Sequence, residues 1–242
     1  MRILVISDIH ANLLAFKTVL DAAEGKWDKI WFLGDLIGYG PNPNECVQLL
    51  REYDHICLSG NHDWAALGKL DINEFNEEAQ TAVLWTRNRL TAENFAFLDE
   101  QPAMREVGDF TLAHGSPRHP VWEYIIEYET AVENFAHFDT PYCLVGHTHF
   151  PVLIAEKEAN EALVYNPTYA ETIYLEDTRA IINPGSVGQP RDSDPRAAYA
   201  LLDTDELTWE FYRVSYPIEV TQWQMREAGL PEPLVVRLAY GW

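Results

Sequence analysis

The sequence predicts an α/β fold of the α+β four-layer type. Two mixed β-sheets pack face to face as a sandwich flanked by helices, with a helical insertion over the functional site. Three observations predict it. Residues 1–60 alternate short apolar runs with helical stretches. Residues 64–101 turn wholly helical in texture, and from Pro151 short strands succeed one another between turn residues.

The first run, Arg2-Ile3-Leu4-Val5-Ile6-Ser7, is rich in β-branched residues and reads as a strand buried on both faces. It ends in Ser7-Asp8-Ile9-His10, a carboxylate and an imidazole at the carboxyl end of a central strand, where open α/β sheets build their sites. Leu13, Phe16 and Leu20 then recur at helical spacing up to Gly25. A second strand, Ile30 to Leu33, runs into Gly34-Asp35, and Pro43 opens a helix through Glu52. A third strand, His55 to Leu58, runs into Gly60-Asn61-His62-Asp63. Strands joined by short helical crossovers imply a parallel sheet of right-handed connections.

Ala79, Val83, Leu90, Phe95 and Leu98 place two or three helices in the insertion, halted by Pro102. Ala103 to Val107 and Phe110 to Ala113 read as a hairpin about Gly108-Asp109, delivering His114-Gly115-Ser116-Pro117. Val121 to His137 reads as an aromatic-rich helix, and Tyr142 to Val145 as a buried strand ending in Gly146-His147-Thr148-His149. Strands at 152–155, 162–165, 172–175, 180–183, 198–202 and 208–212 read as a second, mostly antiparallel sheet packed on the first. Ser215-Tyr216-Pro217 starts a last helix and Gly229 stops it. Residues 1–242 read as one domain, with the tail from Pro231 fitting no single class.

The 242 residues, 47% of them hydrophobic, can bury a full core. A net charge of -21 argues against a non-specific grip on nucleic acid or on an anionic membrane. No apolar run approaches the roughly 20 residues that span a bilayer, and the opening residues lack the features of a signal peptide. Cys46, Cys57 and Cys143 form no CxxC pair and read as reduced thiols, which together predicts a cytoplasmic protein.

The histidines carry the chemistry. Of 8, five directly follow a predicted strand: His10, His62, His114, His147 and His149. One such histidine more often satisfies a carbonyl at a strand end. Five in register with four strand ends point to a metal centre. Imidazole, carboxylate and amide donors without thiolate suit Mn, Fe, Zn, Co or Ni. Gly34, Gly60, Gly115 and Gly146 can take positive φ and let backbones approach closely. A protein this acidic that handles phosphate needs local positive potential, which divalent cations provide.

Asp8-x-His10, Gly34-Asp35, Gly60-Asn61-His62-Asp63, the lone His114 before glycine, and Gly146-His147-Thr148-His149 resemble, in order and context, the five-block signature of calcineurin-like metallophosphoesterases. The stretches 38–41 and 183–191 look like the smaller bacterial and archaeal branch, which includes phosphodiesterases and phosphatases similar to diadenosine-polyphosphate hydrolases. The resemblance implies two divalent metal ions. Asp8, His10, Asp35 and His149 would hold one, and Asp35, Asn61, His114 and His147 the other, with Asp35 bridging. A carboxylate can span two cations about 3.5–4 Å apart, and two aspartates against two divalent ions leave a pocket of roughly +2.

On this reading the chain is a binuclear phosphoesterase acting on small phosphodiesters or phosphomonoesters, nucleotides among them, by metal-activated water. His62 would donate a proton to the leaving alkoxide or bind a phosphoryl oxygen. Asp63 would either orient His62 or cap the helix starting near Trp64. Substrate contacts are sought at Asn12, which would equally serve as a helix-start amide, and at Arg118, Arg191 and Arg196, which would equally form surface ion pairs. The turn 183–186 would close the pocket or simply join two strands, and His119 could reach the rim. Trp27, Trp31, Trp85 and Trp122 read as core, while aromatic residues of the insertion could face a nucleobase. A non-catalytic scaffold on the same fold and a nuclease are the rival functions. The complete ligand set disfavours the first and the acidic surface the second. The tail and the last helix could support a homo-oligomer.

Overall fold

A computed structural model describes residues 1–158, 161–175 and 179–242. In chain order the elements are β1 (Arg2–Ile6), α1 (Leu13–Ala22), β2 (Lys29–Phe32), α2 (Pro43–Arg51), β3 (His55–Cys57), α3 (Asn61–Leu67), α4 (Glu77–Arg87) and α5 (Ala92–Asp99). They continue with β4 (Met104–Val107), β5 (Phe110–Ala113), α6 (Tyr128–Asn134), β6 (Tyr142–Leu144), β7 (Val152–Glu158), β8 (Glu161–Tyr165), β9 (Thr172–Tyr174) and β10 (Ala180–Asn183). The chain closes with β11 (Ala197–Asp203), β12 (Thr208–Val214), α7 (Ile218–Glu227) and α8 (Glu232–Arg237).

Two mixed six-stranded sheets form, in the orders β3-β2-β1-β11-β12-β9 and β4-β5-β6-β10-β7-β8. The period-2 alternation of β1 explains why it is apolar throughout. Ile3 and Val5 face the space between the sheets, with Trp31, Leu112, Leu144, Ile182 and Trp209. Leu4 and Ile6 face the other way, onto Phe16 and Val19 of α1. Cys143 and Ile181 line the outer face of the second sheet, under Ala131 of α6 and Phe135. The layers are therefore helix, sheet, sheet, helix.

The strands after Pro151 do not build a sheet of their own, as the sequence suggested. β9, β11 and β12 extend the first sheet and β7, β8 and β10 the second. The reason is the open edges of β1 and β6. β11 pairs antiparallel with β1, Leu4 opposite Leu201, and β10 pairs parallel with β6, Ile181 opposite Cys143. Unpaired strand edges in the middle of a buried layer would leave backbone groups unsatisfied.

Residues 121–137 are not one helix. Only α6 and a 3-10 turn at Phe135–His137 are helical, and 121–127 are irregular. Pro120 precedes this segment and the Glu123 carboxylate holds it, accepting from Ser116 Oγ at 2.7 Å and Asn134 Nδ2 at 2.8 Å. The helical stretch expected over 64–101 comprises α3, which opens three residues before Trp64, α4 and α5; α3 packs on α4 and α5, and α5 on α2. Trp85 Nε1 ties the stretch to the Ala228 carbonyl at 2.8 Å, just beyond α7. Among the described residues no helix is long and apolar enough to cross a membrane.

Candidate metal centre

The ends of five strands, β1, β2, β3, β5 and β6, meet at one place. Asp8, His10, Asp35, Asn61, His62, His114, His147 and His149 converge there, none more than 3% exposed. Asp8 lies with His10 and His149, Asp35 with His10 and His62, and Asp35 again with His114 and His147, each trio with ligand atoms within 4.8 Å of one another. Asp35 thus belongs to groups on both sides.

The backbone aims these side chains at a cost in strain. Asp8 (φ 54°), His10 (48°), Asp35 (58°), His147 (64°) and His149 (64°) all occupy the left-handed region. Non-glycine residues rarely adopt it, and such strain collects at functional sites. The glycines divide between the two uses open to them. Of Gly34, Gly60, Gly115 and Gly146, only Gly34 has positive φ, at 104°. The others serve close approach: a Cβ on Gly60 would stand 2.1 Å from Asp35 Oδ1, and one on Gly146 2.0 Å from Ser7 Oγ.

Each of the four imidazoles assigned to metal has one nitrogen on a main-chain oxygen. His10 Nδ1 lies 3.2 Å from Ile37 O, His114 Nδ1 2.9 Å from Leu33 O, His149 Nδ1 2.5 Å from Gln189 O, and His147 Nε2 3.2 Å from Trp122 O. A carbonyl only accepts, so those nitrogens carry protons, and the opposite nitrogens of His10, His147 and His149, all held below the usual imidazole range mainly by burial, present lone pairs to the centre. Metal-ligating histidines are held in this way.

What faces those lone pairs is unfavourable without a cation. His10 Nε2 and His149 Nε2 stand 3.2 Å apart, acceptor to acceptor. His114 is the exception: its Nε2 lies 3.2 Å from Asn61 Oδ1 and 3.3 Å from Asp35 Oδ2, and these oxygens favour a second proton on the ring until a cation displaces it. Asp8 Oδ1 and Asp35 Oδ2 are buried without a hydrogen-bond partner. Burial would raise both carboxyls, but the neighbouring imidazoles, His149 for Asp8 and His114 for Asp35, outweigh it and hold both well below the usual carboxylate range. The donor set, N and O atoms with orphaned carboxylate oxygens, fits divalent cations.

The remaining candidates separate cleanly. His62 has its ring in the centre, 5.0 Å from His10 between centroids, and Nδ1 has no partner. Burial, helped by Arg191, His149 and His114, lowers it to about 4 despite Asp35. Asp63 does not orient it, which corrects that expectation. Its carboxylate accepts from the main-chain N–H groups of Gly60 (2.9 Å), Asp35 (2.9 Å), Ile37 (3.1 Å) and Leu36 (3.3 Å). At the third position of α3 the side chain folds back over the helix start, making a capping box that also pins the loop carrying Asp35.

Asn12 is not a substrate contact either. Its oxygen caps α1 at Ala15 N (3.2 Å) and accepts from Thr221 Oγ1 (3.2 Å). Its amide donates to Gly188 O (2.9 Å) and Tyr216 Oη (3.1 Å). All four hydrogen-bonding positions are filled. Arg118 is engaged by Glu123 at 2.5 Å and Glu133 at 2.6 Å, and Arg196 by Asp194 at 2.6 Å, so neither guanidinium is free to clamp phosphate. Arg191 differs. It donates to neutral Gln189 Oε1 at 3.1 Å, its Nε is buried without a partner, and among the described residues no carboxylate pairs with it.

The turn 183–186 does more than join strands. Asn183 Nδ2 donates to Gly146 O (2.7 Å) and Thr148 Oγ1 (3.0 Å), while Ser186 Oγ donates to Asp8 O (2.9 Å). It clamps the ligand loops of both sheets together. Sequence reasoning missed Tyr124, which stacks on His147 with centroids 3.8 Å apart, and Tyr39, 4.2 Å from His62. Their one signal was aromatic residues near predicted strand ends, which periodicity cannot rank.

The profile of the calcineurin-like phosphoesterase superfamily domain matches residues 1–207. An uncharacterised protein of Methanocaldococcus jannaschii is 39% identical over 246 residues, spanning 99% of this chain and 98% of its own length. The crystal structure of a metallophosphoesterase from Sphaerobacter thermophilus superposes with a TM-score of 0.91 at 53% identity, covering 100% of this chain and 99% of that one. A hypothetical protein from Pyrococcus horikoshii shares the fold, with a TM-score of 0.80 at 19% identity, over 100% of this chain and 98% of that chain.

Proposed function

This chain belongs to the calcineurin-like phosphoesterase superfamily and is a metal-dependent hydrolase of phosphoester bonds, and on that premise we propose that its centre is binuclear and serves small phosphodiesters or phosphomonoesters, nucleotides among them. Asp8, His10, Asp35 and His149 would hold one divalent ion and Asp35, Asn61, His114 and His147 the other. The observation that carries this is the pair of facing Nε2 atoms of His10 and His149 beside the unpartnered oxygens of Asp8 and Asp35. Such ions supply charge to phosphoryl oxygens and acidify the attacking water. The donor types suit Mn, Fe, Zn, Co or Ni.

The chain's own residues do the rest. His62, neutral and without a carboxylate on Nδ1, offers an N–H to a phosphoryl or leaving-group oxygen. Arg191, without a carboxylate, supplies N–H donors to phosphate. Asp63 fixes the loop on which Asp35 stands. Burial of every ligand excludes water from the charges, which strengthens them. Residues 1–242 act as one domain whose insertion, 64–101, shapes substrate choice. Its buried free thiols suit a reducing cytoplasmic setting.

The test is hydrolysis of p-nitrophenyl phosphate and its bis ester by protein loaded in turn with each of these metals. The expected result is turnover that a chelator abolishes, with two equivalents of metal bound. His62→Ala should retain both ions and lose turnover by ~10²-fold or more. Absence of hydrolysis with every metal would favour a scaffold. Cleavage of nucleic acid at moderate salt would favour a nuclease.

A further inference from the structure

Aromatic rings close a circuit around the mouth of the centre. Tyr39 packs on His62, and His62 on Phe75 of the insertion at 5.2 Å. Phe75 meets Trp122 edge-on at 5.0 Å, and Trp122 lies 6.5 Å from His147, on which Tyr124 stacks. The guanidinium of Arg191 stands 5.9 Å from the Tyr39 ring, completing the far side. These residues are spread from Tyr39 to Arg191, so no single element dictates the ring. The centre inside is almost wholly buried, yet Trp122 is 36% and Tyr124 45% exposed. Aromatic surface is thus presented to solvent directly outside the groups that would hold a phosphoryl group.

We infer that this collar is a recognition site for a planar aromatic group on the ester side of the substrate. The inference rests on the phosphoesterase reading above and deepens it. A phosphoryl group drawn to the centre and to Arg191 leaves its ester substituent among Phe75, Trp122 and Tyr124. Rings gain from stacked and edge-on contact with other rings beyond the area they bury. A saturated group of the same size gains only the burial. If the rings merely seal the centre from water, the two kinds of substrate fare alike.

The test compares benzyl phosphate with cyclohexylmethyl phosphate, which match in size and in the primary alkoxide that leaves. The expected kcat/KM ratio is about three- to tenfold in favour of the benzyl ester. Trp122→Leu and Phe75→Leu, with metal content and circular dichroism checked, should each move that ratio toward one. Trp122→Leu keeps the main-chain oxygen that holds His147. Calorimetric binding of phenylphosphonate and cyclohexylphosphonate to the metal-loaded protein should show the same preference without turnover. A ratio of one in both measurements, with hydrolysis retained, overturns the inference and leaves the phosphoesterase reading standing. A ratio unchanged in both variants overturns the assignment to these rings. Aromatic preference among the phosphonates without hydrolysis of either ester supports the collar and overturns the catalytic reading instead.

Discussion

His10 and His149 face each other through two nitrogens that both act as acceptors, 3.2 Å apart, because each ring's other nitrogen donates to a main-chain carbonyl. The two residues lie 139 positions apart in the chain and on loops of different sheets. Only a positive charge between them makes the contact favourable. The folded protein therefore carries an unfavourable arrangement that metal relieves, and metal affinity and folding stability are linked.

Chelation is accordingly expected to lower stability as well as activity. At free metal about a thousand times Kd, one tight site adds about 4 kcal/mol, seen as a rise in the unfolding midpoint. His149→Ala should abolish much of that rise. Differential scanning calorimetry with and without metal checks it, and a midpoint indifferent to metal would refute it.

Metal binding should also release a proton near neutral pH. Burial pushes His114 down, but Asp35 and Asp8 reverse that and hold it at about 9 in the metal-free protein, so its inward nitrogen is protonated near neutral pH. A cation must displace that proton. Titration calorimetry in buffers of different ionisation enthalpy should report about one proton released per two ions. His114→Ala should remove the buffer dependence.

Asp63→Asn tests the loop anchor. The variant keeps the shape but turns one acceptor oxygen into a donor facing main-chain N–H groups of Gly60, Asp35, Leu36 and Ile37. Leaving buried donors unmatched costs about 1–3 kcal/mol each before relaxation. Urea unfolding should show a loss of that order, and metal content should fall because Asp35 shifts. An unaltered midpoint would reinstate Asp63 as a partner of His62.

Gly60→Ala should be more damaging than its one methyl suggests. The new Cβ would fall 2.1 Å from Asp35 Oδ1 and 2.6 Å from Asp35 N, a buried carboxylate and its own backbone. The carboxylate must leave its position, so metal stoichiometry should drop while the sheets remain folded. Elemental analysis and circular dichroism together read out both parts.

The metal-free protein should be acid-labile in a defined window. His62 is held at about 4 by burial and the cations around it, against an unfolded value near ~6.5. The unfolded chain binds more protons between those values, so stability rises with pH there. The contribution, about 3 kcal/mol, is complete above pH ~6.5 and lost as pH falls to ~4. His62→Gln should flatten this part of the profile. Equal slopes for the two proteins across that window would contradict it.

Local pattern was enough to mark the strand ends and the donors on them. Short continuous apolar runs mark β1, β2, β3 and β6, and their carboxyl ends carry Asp8 and His10, Asp35, Asn61, and His147 and His149 respectively. Those signals span only a few residues each. Which donors stay free was settled by folding alone. Asn12 is consumed by Gly188, Tyr216 and Thr221, more than 170 positions away, and Asp63 by a loop 26 to 28 positions earlier, while Arg118 finds Glu123 and Arg191 finds no carboxylate among the described residues. Folding also divided the late strands between two sheets and chose the rings that surround the centre. A short stretch of sequence records what a residue can offer. Which offer is taken up depends on long-range neighbours, and a single sequence carries no short-range trace of them.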